Sequence, residues 1–156
     1  MESIEDQIVL ALRRISQAIE QYSRELLRDF GLTAPQLATL REIQSGQRNS
    51  PVALAEALHV SQPTVSGILS RLEQQGLIER RKSETDRRSN AAVLTEKGTE
   101  LTAKAPPLLR ERFRQELALL PEWRRTEVLS TLQMLATMMH APEISEGAFL
   151  FIDTGK

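Results

Sequence analysis

The chain has 156 residues, of which 40% are hydrophobic, only 4% aromatic and 26% charged, for a net charge of −1. That length fits one domain, or one small domain with helical extensions, around a core of Leu, Ile, Val, Ala and Met. Near-neutrality gives no overall attraction to nucleic acid, so any basic character has to be local, and the lack of cysteine excludes a disulfide framework, a thiolate metal site and sensing through a thiol.

The N-terminal stretch MESIEDQIVLALRR is acidic ahead of its apolar positions and holds no uninterrupted apolar run. Neither a signal peptide nor a membrane span is expected, and the expected location is cytoplasmic. Ile8, Leu12, Ile15, Ile19, Tyr22 and Leu26 then follow at alternating spacings of four and three, a heptad-like stripe on one long helix. Such a stripe either packs within its own subunit or meets a partner chain.

Gly31 supplies a left-handed stop for that helix, and Thr33 with Pro35 opens a second one through Ile43, with Leu37, Leu40 and Ile43 inward. Ser50 and Pro51 repeat the signal for a short third helix, whose expected inward positions are Val52, Ala55 and Leu58. His59 and Val60 form the next turn, and Ser61 caps a fourth helix that ends at Gly76. Leu77 is placed to contact Leu72 across that stop, as in a Schellman cap. Residues 77–81 and 91–94 read as two strands joined by a charged loop, a hairpin wing directly after a helix-turn-helix. Thr95 caps a fifth helix that must break at Pro106-Pro107, because two backbone donors are lost and Ala105 is driven away from helix. Apolar positions resume at Leu108, Leu109, Phe113 and Leu117. Pro121 then opens a final helix with a stripe at Val128, Leu132, Leu135 and Met139.

The chemistry concentrates between Ser61 and Asn90. On the fourth helix Val65, Ile68, Leu69 and Leu72 share one face, and the opposite face carries Gln62, Ser66, Gly67, Ser70 and Gln74, with Thr64 and Arg71 to one side. A major groove accepts a helix whose outer face combines small residues with hydrogen-bonding groups. Gln62 can pair with adenine, Thr64 and Ser66 are adaptable, and Gly67 permits close backbone approach. Ser61 and Pro63 lie at the end where free N–H groups and the helix dipole favour a phosphate, and Arg71 suits the DNA backbone better than the bases. Arg80, Arg81, Lys82, Arg87 and Arg88 form a basic run opposed only by Glu84 and Asp86. Arg87 and Arg88 fall at the wing tip, where a guanidinium enters the minor groove or clamps phosphates, and Asp86 is suited to orient an arginine. The candidate DNA-binding set is therefore Ser61, Gln62, Pro63, Thr64, Ser66, Gly67, Ser70, Arg71, Arg81, Asp86, Arg87 and Arg88.

An enzyme is not expected. The only histidines, His59 and His140, are far apart and lack a nearby nucleophile, paired carboxylates, a phosphate-cradling loop or a metal-ligand cluster, so no cofactor or metal is expected either. His59 is a turn residue that is also a candidate for ligand contact, since imidazole titrates near neutrality. A winged helix used for protein contact without DNA is the alternative reading.

GLTAPQLATL from Gly31, LAEALHVSQPTVSGILSRLEQQGLIERR from Leu54 and DRRSNAAVLTEKG from Asp86 together resemble the MarR family of bacterial winged-helix regulators, in the family's order and spacing. The resemblance implies a mainly α fold with a small β-hairpin wing, flanked by N- and C-terminal dimerisation helices. It implies a homodimer that binds double-stranded DNA at pseudo-palindromic operators, commonly as a repressor released by a small effector. Residues 1–30 are then a dimerisation helix, 31–95 the winged helix-turn-helix, 96–140 the C-terminal dimerisation helices, and 141–156 a tail whose placement the sequence does not determine. Asp86 and Arg88 take the family's wing positions, and Ser61 to Arg71 its recognition helix. Two departures stand out: His59 where the family often has glycine, and the Pro106-Pro107 pair within the fifth helix.

Overall fold

The computed structural model describes residues 3–82 and 90–143. Its elements are α1 (Ile4–Phe30), α2 (Ala34–Gln44), α3 (Pro51–Leu58), α4 (Gln62–Gln74), β1 (Ile78–Lys82), β2 (Asn90–Leu94), α5 (Glu96–Lys104), α6 (Leu109–Ala118) and α7 (Glu122–Met138). β1 and β2 pair antiparallel with Ile78 opposite Leu94 and Lys82 opposite Asn90, and a backbone bond from Ala92 N–H to the Asn49 carbonyl (2.8 Å) ties the loop before α3 to the hairpin. The expected mainly helical fold with a hairpin wing is the observed one.

Hydroxyl caps open the helices of the central core. Thr33, Ser50, Ser61 and Thr95 each accept from the backbone N–H three residues on, satisfying donors that would otherwise be unpaired. In α2 the cap is reciprocal, because the Gln36 side chain accepts from the Thr33 N–H at 2.8 Å. The helix ends follow the same economy. Gly31 stops α1 at φ +65°, and α4 closes through a Schellman turn in which the Leu77 N–H donates to the Leu72 carbonyl and Gly76 stands at φ +70°.

These ends bring Leu37, Leu40, Leu54, Leu58, Val65, Leu69, Leu72, Leu77 and Ile78 into one buried cluster, joined by Leu26 and Leu32 from the end of α1. One inward position differs from expectation. Val52 is 48% exposed and Leu54 is fully buried in its place. In an eight-residue helix the buried arc spans Leu54, Ala55 and Leu58, and Val52 lies about a sixth of a turn beyond its edge.

Outside this core the helices bury little. Of the α1 stripe only Leu26 is buried, while Ile8 and Ile15 are exposed. Neither α6 nor α7 contains a buried residue. Trp123, Leu132 and Met139 are exposed along α7, and Val128 and Leu135 are half-buried. No helix among the described residues is long and apolar enough to cross a membrane.

The expected break after α5 is present. Ala105 is extended (φ −67°, ψ 144°), the conformation that a following proline imposes, and the chain restarts as α6 at Leu109.

Candidate nucleic-acid interface

Burial orients α4 unambiguously. Val65, Ile68, Leu69 and Leu72 face the core, which leaves Gln62, Pro63, Ser66, Gly67, Ser70 and Arg71 on the open face. Thr64 is half-buried, and its hydroxyl lies 2.8 Å from that of Ser61, whose oxygen also caps the Thr64 N–H. These two hydroxyls are engaged with each other. Gln62, Ser66 and the stretch around Gly67 therefore make up the more available part of the face. A Cβ built on Gly67 would meet nothing within 4 Å, so no packing inside the chain requires glycine in mid-helix. The missing side chain leaves the backbone of the outer face accessible there.

The turn into α4 is built by His59, which takes the left-handed conformation (φ 54°, ψ 42°) that closes α3. Its N–H donates to Glu56 and the following Val60 N–H to Ala55. Histidine thus adopts the conformation for which glycine is the usual choice, as histidine does more readily than most residues.

The other end of α4 is fastened to α5. The Lys97 ammonium donates to the Gln75 carbonyl (2.8 Å), the Thr95 hydroxyl to Gly76 (2.7 Å), and the Thr95 N–H to Leu77 (3.1 Å). A cation at a helix C-terminus also complements the helix dipole. This attachment has no local sequence signal, because its partners lie about twenty positions apart.

Between α4 and the wing stands Arg80. Its Nη2 donates to the Ser70 hydroxyl (3.3 Å) and its Nε pairs with Glu73 (3.2 Å). Ser70 is therefore both on the open face and tied to β1. In the sequence Arg80 is one of a basic run, and nothing in that run points to this link. Strand alternation contains the signal: Arg80 shares the face of buried Ile78, and Ser70 and Glu73 are three apart on the facing helix. Arg81 is exposed and, among the described residues, bonds to its neighbour Glu79 (3.2 Å). Asp86, Arg87 and Arg88 lie outside the described residues.

The candidate interface thus consists of an exposed, small and polar helix face, a glycine with open space around it, and basic strand residues beside it. No group of His, Cys, Asp or Glu among the described residues has metal-binding geometry.

Known proteins share this organisation. The MarR family model matches residues 32–89, which take in α2, α3, α4, β1 and the segment up to β2. Over 102 residues the chain is 33% identical to the organic hydroperoxide resistance transcriptional regulator of Bacillus subtilis (strain 168), spanning 65% of this chain and 69% of that one. The chain belongs to the MarR family.

A second MarR-type relative, the homoprotocatechuate degradative operon repressor of Escherichia coli, is 29% identical over 110 residues, 70% of this chain and 74% of that one. Among solved structures, the S. aureus MepR–DNA complex aligns with a TM-score of 0.57 at 25% identity, over 83% of this chain and 96% of that one. As a MarR-family member this chain is a DNA-binding transcriptional regulator of winged-helix fold, and the relatives it matches are regulators as well.

Proposed function

We propose that the protein is a cytoplasmic homodimeric repressor that grips a pseudo-palindromic operator with two copies of α4 and two wings. The carrying observation is that one chain leaves both kinds of surface open. The polar face of α4 has Gly67 at its centre, and α1, α6 and α7 present Ile8, Ile15, Phe113, Trp123, Leu132 and Met134 to solvent. Large apolar side chains left open on three helices mark an interaction site. Pairing through it places two α4 helices about 34 Å apart, one turn of DNA.

In this reading Gln62, Ser66 and Ser70 face base edges, and Gly67 lets the helix seat deeply. Ser61, Pro63 and Thr64 present the helix N-terminus to a phosphate, and Arg71 and Arg81 neutralise the neighbouring backbone. Arg87 and Arg88 reach the minor groove or its phosphates, with Asp86 orienting them. The repressor name of the E. coli relative supports the direction of regulation.

Release by a small effector completes the proposal. A cleft of about 390 Å³ lies between α1 and α6, bounded by Tyr22, Leu109, Arg112 and Phe113 among others. A ligand there that fits one arrangement of the two helices better than another lowers operator affinity by its differential affinity.

The test is to sequence DNA fragments retained by the purified protein and to titrate the recovered site against salt. Affinity should fall about 10³- to 10⁵-fold between 50 and 200 mM salt for roughly 6 to 10 phosphate contacts. Arg88→Ala should weaken binding and flatten that slope. Unchanged affinity and slope would overturn the wing assignment. A uniformly shallow dependence would favour a protein-contact module instead.

A further inference from the structure

The Pro106-Pro107 break leaves three consecutive carbonyls outside any helix, and other elements take them up. Arg41, on α2, directs Nη2 at the Pro106 carbonyl (2.9 Å) and the Ala105 carbonyl (3.4 Å), while its Nη1 pairs with Glu111 of α6 at 2.6 Å. The same Glu111 Oε2 accepts from the Leu108 N–H (3.0 Å), the first orphan donor of α6. The Tyr22 hydroxyl of α1 donates to the third carbonyl, Pro107 (3.1 Å). One guanidinium thus spans the whole elbow, from the residue that follows α5 to the first turn of α6.

Its own footing is firm, since Arg41 follows buried Leu40 and precedes buried Ile43 in the core that carries α4. Beyond the elbow lie α6 and α7, which bury no residue in that core. Main-chain hydrogen bonds do not bridge α5 to α6, so the angle between them has to be set by side chains. Arginine suits this task because its planar fork binds carboxylate and carbonyl groups in fixed directions, which a lysine ammonium does not.

We infer that Arg41 is a positioning residue for operator spacing: by clamping the Ala105–Leu108 elbow it fixes the angle between the reading core and α6–α7, and with it the separation of the two recognition helices. This rests on the dimer and operator reading above and adds to it a determinant that touches no DNA.

Two measurements test it. The chain contains no cysteine, so Glu56→Cys on the exposed face of α3 gives one spin label per protomer and one distance per dimer. The otherwise unaltered protein should show one narrow distance distribution, and Arg41→Gln a broadened or displaced one. Arg41→Lys, milder and a safeguard if the glutamine variant folds poorly, should fall between. The second measurement uses duplexes whose half-sites are moved apart one base pair at a time. Discrimination between the best and the neighbouring spacings should drop about fivefold or more in Arg41→Gln.

An unaltered distance distribution, or a spacing profile merely scaled down, would overturn the inference while leaving the operator reading intact. Failure of the unsubstituted protein to give any inter-protomer distance would instead remove the dimer on which both depend. A distance change in Arg41→Gln, with no duplex bound even by the parent protein, would keep the clamp and remove the operator.

Discussion

Gly98 lies directly against the backbone of Leu77, so close that a Cβ on Gly98 would run into the Leu77 carbonyl oxygen. That carbonyl already accepts from the Thr95 N–H, and Leu77 itself closes the Schellman turn of α4. The start of α5 and the end of α4 are therefore one packed unit in which neither backbone can yield alone.

Gly98→Ala should accordingly destabilise the fold by about 3 kcal/mol, at the upper end of overpacking costs. Urea unfolding measures it. A loss below about 0.5 kcal/mol would mean that α5 shifts without consequence, contrary to the packing described.

Gly67→Ala should act in the opposite sense on stability. Its added methyl meets no atom within 4 Å in the free protein, and alanine is favoured over glycine in a helix by about 1 kcal/mol. Thermal melting should rise while operator affinity falls. Equal affinity for the two proteins would show that DNA does not approach this part of α4.

Arg80→Ala should cost less than about 1 kcal/mol in stability, because its ion pair with Glu73 is near the surface. It should nevertheless weaken operator binding, since the wing loses its attachment to Ser70 and Glu73. Ser70→Ala should reproduce part of the binding loss. A binding loss accounted for entirely by unfolding would reduce Arg80 to a stabilising residue.

Tyr22 gives a pH prediction. Burial pushes its phenol above the ordinary tyrosine value near 10, with the Arg41 guanidinium opposing the shift in part. A raised folded pKa means that the protonated form is the one the fold favours. The associated stability is complete below the unfolded value and declines as pH rises through the folded one. Between neutral pH and the strongly alkaline range, the parent protein should therefore lose more stability than Tyr22→Phe, which has no proton to lose. Parallel pH–stability curves for the two proteins would contradict this.

Much of the framework was legible from local chemistry. Thr33, Ser50, Ser61 and Thr95 mark helix starts because a side-chain oxygen can reach an N–H three residues away, a condition contained in four consecutive residues. Gly76 and the hairpin after it, and the extended Ala105 before two prolines, are equally local. The inward face of α4, Val65, Ile68, Leu69 and Leu72, follows from 3.6-residue periodicity. Periodicity was less informative in α3, where eight residues hold too few apolar positions to separate Val52 from Leu54.

By itself the sequence determined where helices begin and end, which face of α4 turns inward, where the chain bends and where basic residues accumulate, since each depends on neighbours within about one turn or one strand repeat. Only the tertiary structure decided what holds the bend and the end of α4 in place. Arg41 reaches a carbonyl 65 positions away and Tyr22 one 85 positions away, Arg80 joins a strand to a helix, and Gly98 is required by a turn on another element. Such pairings arise only when packing brings distant backbone groups with unmet hydrogen bonds beside side chains able to meet them, a condition that no local pattern of residues encodes.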